Sequence, residues 1–176
     1  MPPSLEERRL RLEAESPGAP AGKIVAGSEP GGYPICYNSP RDLPDSDPIR
    51  DLLERSKTIA VVGLSDSPLR PSYGVSAYMQ AQGYRIIPVN PQIAGALGEK
   101  SYPSLLEVPV PIDIVNVFRR PEFAEEVVDQ AIRLRIPAVW MQEGVVHPAA
   151  AEKARKAGVF VAMDLCILKE HRARFG

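Results

Sequence analysis

The chain has few of the residues that build metal centres or crosslinks. It carries two cysteines and two histidines in 176 residues, and Cys36 and Cys166 are far apart with no CxxC spacing. That scarcity argues against a disulfide framework and against a zinc set. Long apolar runs are also missing: no stretch approaches the roughly 18 apolar residues of a membrane span, and the N-terminus has no apolar signal core. The expected setting is therefore cytoplasmic, with no membrane. Nor does one sign of charge dominate, since 21 basic and 22 acidic residues leave a formal net charge of −1. Without a basic field, nucleic acid is not an expected partner.

A dinucleotide fingerprint is absent too. After Gly63 the next glycine is Gly74, which breaks GxGxxG. Where an NAD site wants an acidic residue, about 20 positions further on, the chain has Asn90 followed by Pro91. Both gaps count against NAD and NADP.

What is present centres on residues 57–73, KTIAVVGLSDSPLRPSY. Thr58 to Val62 is an apolar, β-branched run without polar alternation, as in a strand covered on both faces. Gly63 ends it and admits a close approach to the backbone. The next segment holds Ser65, Ser72 and Arg70 between Pro68 and Pro71, and a helix is expected from Tyr73. Strand, glycine turn and helix start together gather free N–H groups and a positive dipole end, a setting suited to phosphate.

Further along, Asp47-Pro48 reads as a helix start, and Tyr73 to Gln82 as a helix closed by Gly83. Strands are expected at Tyr84 to Val89, Ile112 to Phe118, Pro137 to Met141 and Val159 to Met163, with a short one at Lys100 to Tyr102 after the loop GALG. Helices are expected from Glu122 to Arg133, from His147-Pro148 to Ala157, and from Asp164 to Arg174. This alternation predicts an α/β fold: a Rossmann-like, doubly wound parallel sheet in a single domain, 46–176. Residues 1–45 differ in texture. A short charged helix from Ser4 to Glu15 precedes a Pro- and Gly-rich arm with an aromatic island at Tyr33, Ile35, Cys36 and Tyr37. Such an arm is either a solvated tail or a docking segment for the core, a second copy or a protein partner.

In a doubly wound sheet, ligands lie at the carboxyl ends of the strands. There the chain places Ser65 with Arg70, Asn90 with Pro91, Phe118 with Arg119 and Arg120, and Gln142 with Gly144. With the motifs VGLSDSPLRPSYGV, GYRIIPVNP, VFRRPEF, QEGV and MDLC, this set resembles the stand-alone CoA-binding proteins. Their domain is similar to the CoA-binding domain of the succinyl-CoA synthetase alpha subunit and of nucleoside-diphosphate-forming acyl-CoA synthetases. The resemblance covers about Pro48 to Arg172 and leaves the arm out. It implies coenzyme A or an acyl-CoA as ligand. Gly63, Ser65 and the turn Arg70, Pro71, Ser72 leading into Tyr73 would hold the pyrophosphate. Val89, Asn90 and Pro91 would edge the nucleotide, Phe118, Arg119 and Arg120 would flank the adenosine or its phosphates, and Gln142 to Gly144 would face the pantetheine end.

Catalysis is a separate matter. The related ligases use a phosphohistidine and a nucleotide-grasping domain, and neither is recognisable here. His147, beside Pro148, reads as a helix cap, and His171 as an ordinary helix residue. Cys166 follows the last strand and reads first as a buried, inert thiol. The expectation is a CoA-binding module, with a CoA-dependent enzyme, an NAD(P)-binding domain or an interaction subunit as the competing classes.

Overall fold

The structure, a computed structural model, describes residues 47–176; the charged helix and arm expected over 1–45 lie outside that range. Asp47 caps helix α1, Pro48–Arg55, as expected. Its Oδ1 accepts from the N–H groups of Ile49 and Arg50, each at 3.1 Å. Pro48 sits where a missing N–H costs nothing, and Ile49, Leu52 and Leu53 form the buried stripe.

From there strands and helices alternate. Strand β1, Thr58–Val62, leads to helix α2, Pro71–Ala81, and strand β2, Arg85–Val89. The short strands β3, Gly95–Ala96, and β4, Glu99–Lys100, come next. Strand β5, Ile114–Val117, is followed by helix α3, Ala124–Arg133, strand β6, Ala138–Met141, helix α4, Pro148–Lys156, strand β7, Phe160–Ala162, and helix α5, Ile167–Phe175. Five strands form one parallel sheet in the order β2-β1-β5-β6-β7. The expected α/β, Rossmann-like parallel sheet is thus the observed architecture.

Three local expectations need correction. Helix α2 begins at Pro71 instead of Tyr73, because Pro71 itself takes the first helical position. The helix expected from Glu122 opens as a 3-10 turn, Pro121–Phe123, before α3. The strand expected at Lys100 to Tyr102 is instead the end of a hairpin. GALG is its first strand and turn, with Leu97 and Gly98 both at positive φ, 55° and 79°. Tyr102 touches the sheet by one parallel bridge to Val89.

Side chains alternate across the strands, which gives two apolar layers. Ala60, Val62, Val115, Val117, Val139 and Met141 pack against α3 and α4. Ile59, Val61, Ile114, Ala138 and Trp140 pack against α1, α2 and α5. Because β1, β5 and β6 are buried on both sides, ligand access is left to the strand ends.

Candidate functional site

The chain leaves β1 towards β2 on one side and comes back at β5 on the other, so the strand order reverses between β1 and β5. A crevice forms outside the carboxyl ends at such a reversal. Its wall is set by Gly63, at φ 87°. A Cβ there would stand 3.0 Å from Arg119 Cγ and 3.1 Å from the Phe118 carbonyl oxygen, so a side chain would push β5's end away from β1's. The glycine N–H donates to Val89 O at 2.9 Å, and Phe118 N–H to Val62 O at 2.9 Å. Backbone bonds therefore hold Gly63, Val89 and Phe118 in register.

The loop after Gly63 is folded by its own serines. Ser65 N–H donates to Ser72 Oγ at 3.1 Å, and Ser67 N–H to Ser65 Oγ at 3.1 Å. Ser72 is buried, while Leu69, Arg70 and Pro71 are exposed and Tyr73 is half-buried. Arg70 occupies the cap position of α2, which has no side-chain cap and no acidic residue in its first turn. The neighbouring helices differ: Asp47 caps α1, and His147 Nδ1 accepts from Ala150 N–H at 3.1 Å to cap α4. A cation at the positive end of an uncapped helix is unfavourable until an anion joins it.

Asn90 ties the end of β2 to this loop. Its Nδ2 donates to Leu64 O at 2.9 Å, and its Oδ1 accepts from Gln92 N–H at 3.0 Å. The side-chain oxygen is thus turned to the chain's own backbone. A groove beside it is lined by Val62, Val89, Pro91, Pro103, Leu105, Arg119, Phe123 and Gln130. The Arg119 guanidinium lies 5.0 Å from the Phe123 ring centroid, in reach of a cation–π interaction. Among the described residues, no carboxylate forms an ion pair with Arg70, Arg119 or Arg120. Arg120 is exposed and outside the groove lining.

At the end of β6, Gln142 is 3% exposed and its Nε2 donates to Oδ1 of Asn116, 1% exposed, at 3.0 Å. Gly144, exposed and at φ 82°, donates its N–H to Asp164 Oδ1 at 2.8 Å. Cys166 is half-buried at the cap position of α5. Among the described residues, no three His, Cys, Asp or Glu are placed to hold a metal ion, and no helix is long and apolar enough to cross a membrane.

The structure therefore brings Gly63, Phe118 and Arg119 together, and gathers Val89, Pro91 and Arg119 in one groove. Sequence reasoning missed Asn116, Phe123 and the Pro103 to Gln130 wall. The signal for Asn116 was on view, a single polar residue in the apolar run IVNV. The wall had no local signal, because Gln130 Oε1 accepts from Leu105 N–H across 25 positions at 3.1 Å.

A parallel α/β sheet with its crevice at the strand-order reversal places the chain in the Rossmann-like fold class. Within that class, residues 57–172 match the family described as CoA binding domain, and the chain belongs to it. It is 49% identical over 128 residues to the uncharacterized protein YneT of Bacillus subtilis (strain 168), covering 73% of this chain and 95% of that one. It is 27% identical over 134 residues to the ADP-forming acetate–CoA ligase II of Archaeoglobus fulgidus, covering 75% of this chain but 19% of the ligase. Among solved structures, a hypothetical protein from Pyrococcus horikoshii OT3 superposes with a TM-score of 0.72 at 35% identity, covering 80% of this chain and all (100%) of that one.

Proposed function

We propose that this domain binds coenzyme A or a short acyl-CoA across the carboxyl ends of β1, β2, β5 and β6. The observation that carries the reading is the start of α2, where Arg70 stands at an uncapped helix N-terminus with no acid in the first turn. A pyrophosphate would supply the missing anion and accept the Ser72 N–H. Arg119, held over Gly63 and Phe123, meets a second phosphate, with Arg120 as an exposed cation nearby in sequence. The groove between Pro91 and Phe123 takes the adenosine, and the end of β6 takes the pantetheine arm. Membership of the CoA binding domain family supports the same ligand. So does Asn90, whose side-chain oxygen is committed to Gln92 N–H where an NAD site keeps a free acceptor for the ribose.

Calorimetric titration with CoA, acetyl-CoA, NAD and NADP tests the reading. CoA or acetyl-CoA binds, and the dinucleotides bind far more weakly. Arg70→Ala and Arg119→Ala each weaken CoA by roughly 10- to 150-fold, the loss of one charge-assisted hydrogen bond, with melting temperature unchanged. Tight NAD binding with no response to CoA would overturn it.

A further inference from the structure

The acidic side chains of helix α3 are not placed alike. Glu125 and Asp129 both pair with Lys153 of α4. Glu126 is exposed and lines the groove that Arg119 also lines. Gln130 stands one turn further along α3, on the same stripe, and its amide is fixed at both ends. Its Oε1 accepts the Leu105 N–H at 3.1 Å, which leaves Nε2 to donate to Glu126 Oε1 at 3.3 Å. Among the described residues, Glu126 Oε2 accepts no hydrogen bond, and no cation pairs with the carboxylate. The helix dipole explains an acid in the first turn of α3, and does not explain a glutamine tied to Leu105 that steers it. The groove so built offers a cation at Arg119, an apolar floor from Val62, Val89 and Leu105, and a charged acceptor at Glu126.

We infer that Glu126 selects the base of the bound nucleotide, its Oε2 accepting an N–H from an amino-substituted heteroaromatic ring laid on the apolar floor. Gln130 is the positioning residue that holds the carboxylate for this. A phosphate at the same place would meet a like charge. A ring without an amino group would cover the carboxylate and leave it without a partner, which costs free energy. The 6-amino group of adenine supplies the donor. This rests on the CoA reading above and names the side chain on which the choice of base depends.

The test compares CoA with the analogue in which purine replaces adenine, so that only the 6-amino group is missing, on the wild-type chain and on Glu126→Ala. Calorimetric titration gives both affinities, and their ratio is the readout. Removing an acid near phosphates, or loosening the start of α3, changes both ligands alike and leaves that ratio where it was. In the wild-type chain CoA binds about 10-fold or more tightly than the purine analogue, the loss expected for one charge-assisted hydrogen bond. In Glu126→Ala the ratio falls to about one, with a melting temperature close to that of the wild type because the side chain is exposed. Equal affinities in the wild-type chain, or a ratio that does not fall in Glu126→Ala, overturn the inference and leave the CoA site standing. Failure of the wild-type chain to bind CoA overturns the CoA reading and the inference with it.

Discussion

The face of the sheet under α3 and α4 is sealed with Val, Ala, Ile and Met, whereas the face under α1, α2 and α5 contains Ser72, Ser76, Asn116 and His171 as well as its apolar core. On the first face the helices approach closely through small side chains, Ala124 and Ala131 on α3 and Ala150, Ala151 and Ala154 on α4, all fully buried. On the second, Trp140 fills the centre and donates its indole N–H to Leu165 O at 2.7 Å. The contrast teaches that buried polar groups concentrate in one layer, while the groove lined by Val62, Val89 and Leu105 opens on the other. The polar groups collect on the side that also carries α2's N-terminus and the Ser65 to Arg70 loop.

The largest effect should come from emptying the second face. Trp140→Ala removes the largest fully buried side chain and should cost about 3–5 kcal/mol, a large part of the stability of an ordinary domain. The first face should fail by crowding instead. Ala151→Leu, which has no space to enter, should cost about 1–3 kcal/mol. Urea unfolding of both variants measures the comparison, and a smaller loss for Trp140→Ala than for Ala151→Leu would reverse it.

The sequence made one of these layers more legible than the other. Runs such as TIAVV and AVWM have no alternation, so their burial on both sides could be read directly, and each helix bound to them was found to within a few residues. The Val- and Ala-rich face is no more than this pattern completed. The polar groups of the second face were harder, because Ser76 and Asn116 gain meaning only from what lies opposite them in space. Gly63 was identified as the turn, but its near-contact with Arg119 Cγ depends on the register of β1 against β5. The hairpin was missed because Leu97 adopts a left-handed conformation that leucine seldom takes. His147 was placed correctly as a cap because Pro148 follows it, and cap chemistry is local.

A milder test of the same division concerns Ser76. Its hydroxyl oxygen is enclosed on the buried face of α2 with no partner among the described residues, and alanine is the better helix former by up to about 0.7 kcal/mol. Ser76→Ala should therefore raise the unfolding free energy by about 0.5–1 kcal/mol, read as a higher melting temperature. A loss of stability would mean that the hydroxyl is bonded in solution and that the polar layer extends further along α2 than the crevice.

The smallest effect is a slope with pH, again specific to the second face. His171 on α5 is 7% exposed, with its ring edge-on to Tyr78 and Tyr84 at 5.6 and 5.8 Å and its Nδ1 3.1 Å from the Tyr78 hydroxyl. Burial lowers its pKa below the ordinary 6.5. Arg172 lies 4.9 Å from the Tyr78 ring, and Arg50, paired with Glu54, lies 5.0 Å from the Phe175 ring; among the described residues no carboxylate bonds the His171 ring, and burial sets the direction. The folded chain then keeps His171 neutral at a pH where the unfolded chain already binds the proton. Stability from this group is complete above about pH 6.5 and is lost as pH falls below it, because the unfolded state takes up more protons there. Asp47 cannot be the source of that slope. Burial acts to raise its pKa, but the Arg50 N–H and the Arg174 guanidinium 2.6 Å away outweigh it and hold the carboxyl below the usual 3.8, so it stays ionised throughout the window. Urea midpoints measured from pH 8 to pH 5 should fall below about pH 6.5 in the wild-type chain and stay level there in His171→Phe. An identical slope in both would remove His171 as its cause and leave the aromatic cluster a packing element like those of the opposite face.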